Sequence, residues 1–131
     1  MVVRRASPSR EILSGESADV YFARADRVLE REGLDPVVTM EVFARREAVL
    51  CGIDEVKNLL AHVLGASKPD EVAVEALSDG DTIAPKEIVL RIIARYRAFG
   101  LYETAILGML AQSTGWATAA RECVEAAAPP R

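Results

Sequence analysis

The chain has 131 residues, half of them apolar, with 16 basic and 20 acidic side chains and a formal net charge of −4. That balance describes one ordinary globular domain able to bury a core of its own, and it excludes a disordered chain. It also argues against nucleic acid as a partner, because such modules carry a basic excess and aromatic residues at 5% leave few rings for base stacking.

Nowhere do about eighteen apolar residues run together, so no membrane span is expected. Residues 1–8 lack the apolar stretch of a secretory signal. Cys51 and Cys123 form neither a metal-ligand spacing nor a disulfide framework, and they read as reduced thiols of a cytoplasmic protein.

Residues 1–16 carry Arg4, Arg5, Pro8 and Arg10 among few apolar side chains, which predicts a flexible arm. Ser17 stands where an N-cap belongs, with Asp19 in the first turn. Tyr21, Ala25, Val28, Leu29 and Glu32 follow at helical spacing up to a stop at Gly33. Beyond Pro36, Val38, Met40 and Val42 alternate with Thr39, Glu41 and Phe43, which is strand periodicity. Arg45-Arg46-Glu47 is a charged link to the short apolar run 48–51. Ile53, Val56, Leu59, Leu60, Val63 and Leu64 then fall on one face of an amphipathic helix closed by Gly65.

Lys68-Pro69-Asp70 reads as a loop, and Val72, Val74 and Ala76 alternate into a second strand. Ser78-Asp79-Gly80-Asp81 is a turn by composition, and Pro85 bars a central strand beside it. Residues 88–93, rich in β-branched side chains, predict a third strand. From residue 101 to 128 there is no proline, and Ala, Leu, Met and Ile dominate. Residues 100–112 are apolar nearly all round, so a helix there is expected to be buried on most sides. Ser113-Thr114-Gly115 reads as a break before a second, Ala-rich helix from Trp116. Cover for such a pair would come from another chain or a continuation.

The class that follows is α+β: a small, mostly antiparallel sheet with flanking helices and a C-terminal apolar helix pair. The domain runs over 17–128, with an arm at 1–16 and a tail at 129–131.

Few residues offer chemistry. His62 is the one histidine, lies on an otherwise apolar helix, and reads as a boundary residue; no nucleophile–histidine or metal constellation can be built from it. Asp79-Gly80-Asp81 lacks the glutamate and spacing of a calcium loop, and no glycine-rich phosphate loop is present. Asp19-Val20-Tyr21-Phe22 is more informative. Adjacent helical residues point about 100° apart, so one ring can enter the core while the other projects. Core packing of both rings stands beside a tyrosine stacking on a flat ligand.

These residues, with Arg24 and the helix end Leu29-Glu30-Arg31-Glu32-Gly33, resemble the opening of the nicotinate phosphoribosyltransferases, especially their shorter archaeal-type branch. The resemblance continues through Val38 to Phe43 and Leu50-Cys51-Gly52-Ile53-Asp54-Glu55-Val56. It resumes at Phe99-Gly100-Leu101-Tyr102-Glu103-Thr104-Ala105-Ile106-Leu107-Gly108 and at Gln112-Ser113-Thr114-Gly115-Trp116-Ala117-Thr118-Ala119-Ala120. It implies the N-terminal α/β sandwich, hammerhead-like, of an enzyme whose catalytic barrel this chain lacks: a truncated product or one part of a split enzyme. The implied reaction joins nicotinate to phosphoribosyl pyrophosphate, giving nicotinate mononucleotide and pyrophosphate in NAD salvage. Mg2+ and ATP are expected for the complete enzyme, and no cofactor for this chain.

The resemblance makes Tyr21 the best substrate-binding candidate, stacking on the pyridine ring across a dimer interface, with Phe22 and Thr118 as secondary candidates. It implies a homo-oligomer or a barrel-bearing partner chain, with no nucleic acid or membrane. Two departures stand out: Ala94 where the family often has glycine, and Trp116 where it often has isoleucine. The related quinolinate enzymes carry arginine at the position of Glu103, a residue suited to a second ligand carboxylate. Glutamate repels one, which favours nicotinate. The alternatives are a fragment of a quinolinate enzyme, or a stand-alone interaction module that keeps the dimer surface without catalysis.

Overall fold

The structure, a computed structural model, describes residues 7–127; the tail at 129–131 and the first half-dozen residues of the expected arm lie outside them. A short helix α1 (Arg10–Leu13) is followed by α2 (Val20–Glu32), β1 (Val37–Phe43), β2 (Ala48–Val49) and α3 (Ile53–Val63). Then come a 3-10 turn (Pro69–Glu71), β3 (Ala73–Ala76), β4 (Thr82–Ile83) and β5 (Ile88–Arg95). The short helix α4 (Tyr96–Phe99) and a 3-10 turn (Gly100–Tyr102) lead into α5 (Glu103–Ala127).

The most β-branched segment becomes the central strand. β5 pairs antiparallel with β1, from Val37 opposite Arg95 to Phe43 opposite Ile88, with a register shift between Val42 and Phe43. Its other edge takes β3, from Ala73 opposite Ile93 to Ala76 opposite Leu90. The sheet order is therefore β1-β5-β3, and β2 and β4 form a separate two-stranded ladder. Leu90, Ile92 and Ala94 face inward from β5 against Leu50, Ile53, Val56, Leu59 and Leu60 below, with Phe99 and Ile106 closing the cluster. All of these are at most 1% exposed. Each such large side chain stabilises by about 1.5–3 kcal/mol before the entropy of ordering the chain is charged against it.

The outer face of the sheet is polar. Arg91 donates to Glu41 at 2.8 Å and to Glu75 at 2.9 Å, one cation spanning three strands. Arg95 grips both oxygens of Glu71 at 2.6 Å and the Asp35 carbonyl at 2.9 Å. The hydrogen bonds from Arg95 hold the Glu71 carboxyl below its usual range.

The helices and strands stand near their expected positions, with corrections that have local causes. Part of the expected arm is a helical turn: Ile12 and Leu13 pack on the core, and the Tyr102 hydroxyl donates to the Leu13 carbonyl at 3.2 Å. The N-cap of α2 is Asp19 rather than Ser17, while Gly33 closes the helix in the left-handed region as expected. α3 ends one turn-end earlier, with Leu64 rather than Gly65 as its C-cap. The β4 pairing was not foreseen, since two residues carry no periodicity. Ala94 sits in a regular, buried stretch of β5 opposite Val38, where alanine meets no strain.

The largest correction concerns the helix pair. α5 is one unbroken helix of 25 residues through Ser113, Thr114 and Gly115. Thr114 does not break it because its hydroxyl is spent elsewhere: it accepts from Cys51 N–H and donates to the Cys51 carbonyl, both at 3.1 Å. A single glycine in a helix costs only about 1 kcal/mol, which that anchoring offsets. Nor is α5 buried on most sides. Ile106 and Leu110 are its buried residues, whereas Leu107, Trp116 and Val124 are exposed. Gly52 allows the loop before α3 to lie on this helix. Its φ is +100°, and a Cβ there would stand 3.0 Å from the Met109 carbonyl.

Candidate functional site

α2 resolves the question of the two rings. Phe22 is buried at 7% exposure, and Tyr21 projects at 56%. The rings stay in contact, with centroids 4.3 Å apart and planes tilted by 37°. Phe22 is thus a support for Tyr21, and its own face is not open to a ligand. The orientation of α2 is fixed by Arg97 after the central strand. Its guanidinium reaches Asp26 at 2.8 Å and Glu30 at 3.3 Å, and its backbone N–H donates to Asp35 at 3.1 Å.

The start of α2 is also tied to the start of α5. The Asp19 N–H donates to the Thr104 hydroxyl at 3.3 Å, which brings Tyr21 and Glu103 to the same end of the domain. Asp19 makes no side-chain cap. Tyr96 lies in this region too. Its ring fits because residue 100 is glycine: a Cβ there would come within 2.8 Å of the Tyr96 ring. Tyr96 packs edge-on to Phe99 at 6.1 Å. Burial pushes its hydroxyl above the ordinary range, and the charges of Glu103, Tyr21 and Asp26 add to that. Burial likewise raises the Glu103 carboxyl. The Glu103 side chain forms no hydrogen bond or ion pair with any described residue.

One end of the domain therefore presents a projecting ring, a half-buried phenol and a partly desolvated carboxylate without a cation. The ring can stack on a flat ligand. The carboxylate disfavours a negative group beside it and favours a positive one. The sequence singles out Tyr21 as a substrate-binding candidate and Glu103 only as a charge difference from the quinolinate enzymes. Tyr96 has no sequence signal beyond a glycine four residues later.

The other candidates fall elsewhere. The Thr118 hydroxyl accepts from Val49 N–H at 2.9 Å and donates to the Thr114 carbonyl at 2.7 Å, so it fastens α5 to β2. Thr118 lines a different cleft of about 450 Å³ between β1, β2 and α5, with Phe43, Arg45, Arg46 and Leu107 at its edge. His62 is exposed near the end of α3. Asp79 caps that helix, accepting from Ile53 N–H at 2.8 Å and Asp54 N–H at 3.2 Å. Among the described residues no group of three or more His, Cys, Asp and Glu is placed to hold a metal ion. Among the same residues no helix is long and apolar enough to cross a membrane.

Comparison with known proteins places this end of the domain in context. The family model described as quinolinate phosphoribosyl transferase, N-terminal domain, matches residues 19–114. That span contains Tyr21, Tyr96 and Glu103, and stops short of Trp116 and Thr118. Among solved structures, the nicotinate-nucleotide pyrophosphorylase from Pyrococcus furiosus is similar at 37% identity and a TM-score of 0.74. The match covers 92% of this chain and 31% of that one. The nicotinate-nucleotide pyrophosphorylase from Francisella tularensis (16% identity, TM-score 0.63) matches over 85% of this chain and 41% of its own. NadC from Streptococcus pyogenes (22% identity, TM-score 0.61) matches over 82% and 41%. The last two share the fold. The chain thus spans 31–41% of the length of these solved relatives.

Proposed function

The chain belongs to the quinolinate phosphoribosyl transferase N-terminal domain family, and from that premise we propose that it is the N-terminal part of an enzyme that joins nicotinate to phosphoribosyl pyrophosphate. The products are nicotinate mononucleotide and pyrophosphate, in cytoplasmic NAD synthesis. The observation that carries this reading is the pairing of an exposed Tyr21 ring with Glu103, a carboxylate that no described cation opposes. A pyridine ring with one carboxylate can stack on Tyr21 with that group turned away from Glu103. A ring with two neighbouring carboxylates has no such orientation and needs a cation where Glu103 stands.

In this reading Tyr21 orients the ring, and Phe22 and the Arg97 clamp hold Tyr21 in place. The groups that bind the phosphates, and any Mg2+ or ATP, are expected from beyond these residues: a barrel that continues this polypeptide or one on a partner chain. Phosphoryl and pyrophosphoryl groups need clustered cations, which this end of the domain does not provide.

A second reading, quinolinate as the ring substrate, is supported by the description of the matching family. The two separate in a titration of the purified chain followed by NMR at the Tyr21 ring. Nicotinate is expected to bind about tenfold tighter than quinolinate, since one repulsive contact is worth on the order of 1.4 kcal/mol. The reverse order of affinity transfers the chain to the quinolinate reading.

A further inference from the structure

We infer that Glu103, brought to the Tyr21 end of the domain by the Asp19–Thr104 hydrogen bond, is the counter-charge for the pyridinium ring that forms during transfer. This rests on the nicotinate reading above.

The chemistry sets the requirement. The lone pair of the ring nitrogen forms a bond to C1 of the phosphoribosyl group. The bond from C1 to the pyrophosphate oxygen breaks, and its electron pair leaves with pyrophosphate. The ring, neutral at nitrogen beforehand, ends with a full positive charge. An interaction that is indifferent or unfavourable to the bound acid, and favourable to the charged ring, accelerates the step rather than merely tightening binding.

Glu103 has the properties this needs. It is the first residue of α5, next to Thr104, whose hydroxyl takes the Asp19 N–H at 3.3 Å; Asp19 is the N-cap of α2, and Tyr21 lies in the first turn of α2, two residues on. Its carboxylate is partly withdrawn from water, and no described residue donates to it. The guanidinium groups at the end of β5 and just after it are committed: Arg97 to Asp26 and Glu30, and Arg95 to Glu71 and the Asp35 carbonyl. The ionisable group whose titration its charge reaches, the Tyr96 phenol, is itself an acid. A partly desolvated carboxylate with no donor or cation on it keeps only the N-terminal dipole of α5 as support, and a bound cation adds to that. The electron-rich face of the Tyr21 ring acts in the same direction on a stacked cation.

The test uses the purified chain and two probes, nicotinate and N-methylnicotinate, whose methylated ring nitrogen carries the permanent positive charge. Both are titrated and followed by NMR at the Tyr21 ring. N-Methylnicotinate is expected to bind about tenfold tighter. Glu103→Gln is expected to abolish that preference by weakening the cation, leaving nicotinate unchanged or tighter; Glu103→Asp, which keeps the charge, retains it in part. Tyr21→Ala is expected to weaken both probes. Equal affinities in the unmodified chain overturn the inference, with no variant needed, and so does a preference that survives in Glu103→Gln. If nicotinate binds through Tyr21 without any charge preference, the inference alone falls. If neither probe binds, the nicotinate reading falls and takes the inference with it.

Discussion

Tyr21 and Phe22 are neighbours with opposite fates, and the step of about 100° between successive helical residues is the reason. Phe22 closes the space beneath α2, and Tyr21 is left 56% exposed on top of it. Tyr21→Ala should therefore cost little stability, within about 1 kcal/mol in a thermal melt, as exposed substitutions do. The same change should remove roughly 1–3 kcal/mol of nicotinate binding, by analogy with base–aromatic stacking. Tyr21→Phe should lose much less, because the π-face remains. A large melting loss with unchanged affinity would return Tyr21 to a packing role. Phe22→Ala should show the contrary pattern, a loss of about 3–5 kcal/mol in the melt.

Among the elements, α3 and α5 show how one segment is finished by another. The first turn of α3 leaves backbone donors that its own N-cap, Gly52, has no side chain to satisfy. Asp79 does so from 26 residues away, taking the N–H groups of Ile53 and Asp54. Asp79→Ala should destabilise the domain by about 0.5–2 kcal/mol, and Asp79→Asn, which keeps one of the two acceptor oxygens, should recover part of it. Denaturation midpoints of the two variants check this, and an unaffected alanine variant would show the cap to be idle. The α5 helix is finished similarly, with Thr114 and Thr118 holding the backbone of Cys51 and Val49.

For the whole molecule, the exposed apolar residues of α5 matter most. Leu107 is 40% exposed, and Trp116 and Val124 exceed 70%. Exposed apolar side chains along a helix offer points of contact for another chain. The chain is expected to self-associate, with a mass that rises with concentration in sedimentation experiments. Leu107→Arg, which puts a charge into an apolar contact, should weaken that association at least tenfold; a strictly monomeric parent chain would refute it. The isolated chain, given nicotinate, phosphoribosyl pyrophosphate, Mg2+ and ATP, is expected to form no more nicotinate mononucleotide than buffer does. Turnover by the chain alone would refute the view that the phosphate-handling groups lie outside it.

Local physics made much of this chain readable from its residues. The spacing of Ile53, Val56, Leu59 and Leu60 specifies the buried face of α3, because a helix repeats every 3.6 residues. The alternation of Val38, Met40 and Val42 specifies the inner face of β1, because strand side chains alternate. Gly33 and Pro36 mark a helix end for reasons of backbone geometry alone. What tertiary structure decided has a common cause: side chains whose hydrogen bonds or contacts lie far away in sequence. The polar run 113–115 looks like a break until Thr114 finds Cys51 at a separation of 63 residues. Asp79-Gly80 looks like a simple turn until it caps α3. Tyr96 carries no signal of a site until Gly100 seats its ring and the Asp19–Thr104 bond brings Glu103 round to Tyr21. Periodicity is a property of neighbours, and a site assembled from three elements is not.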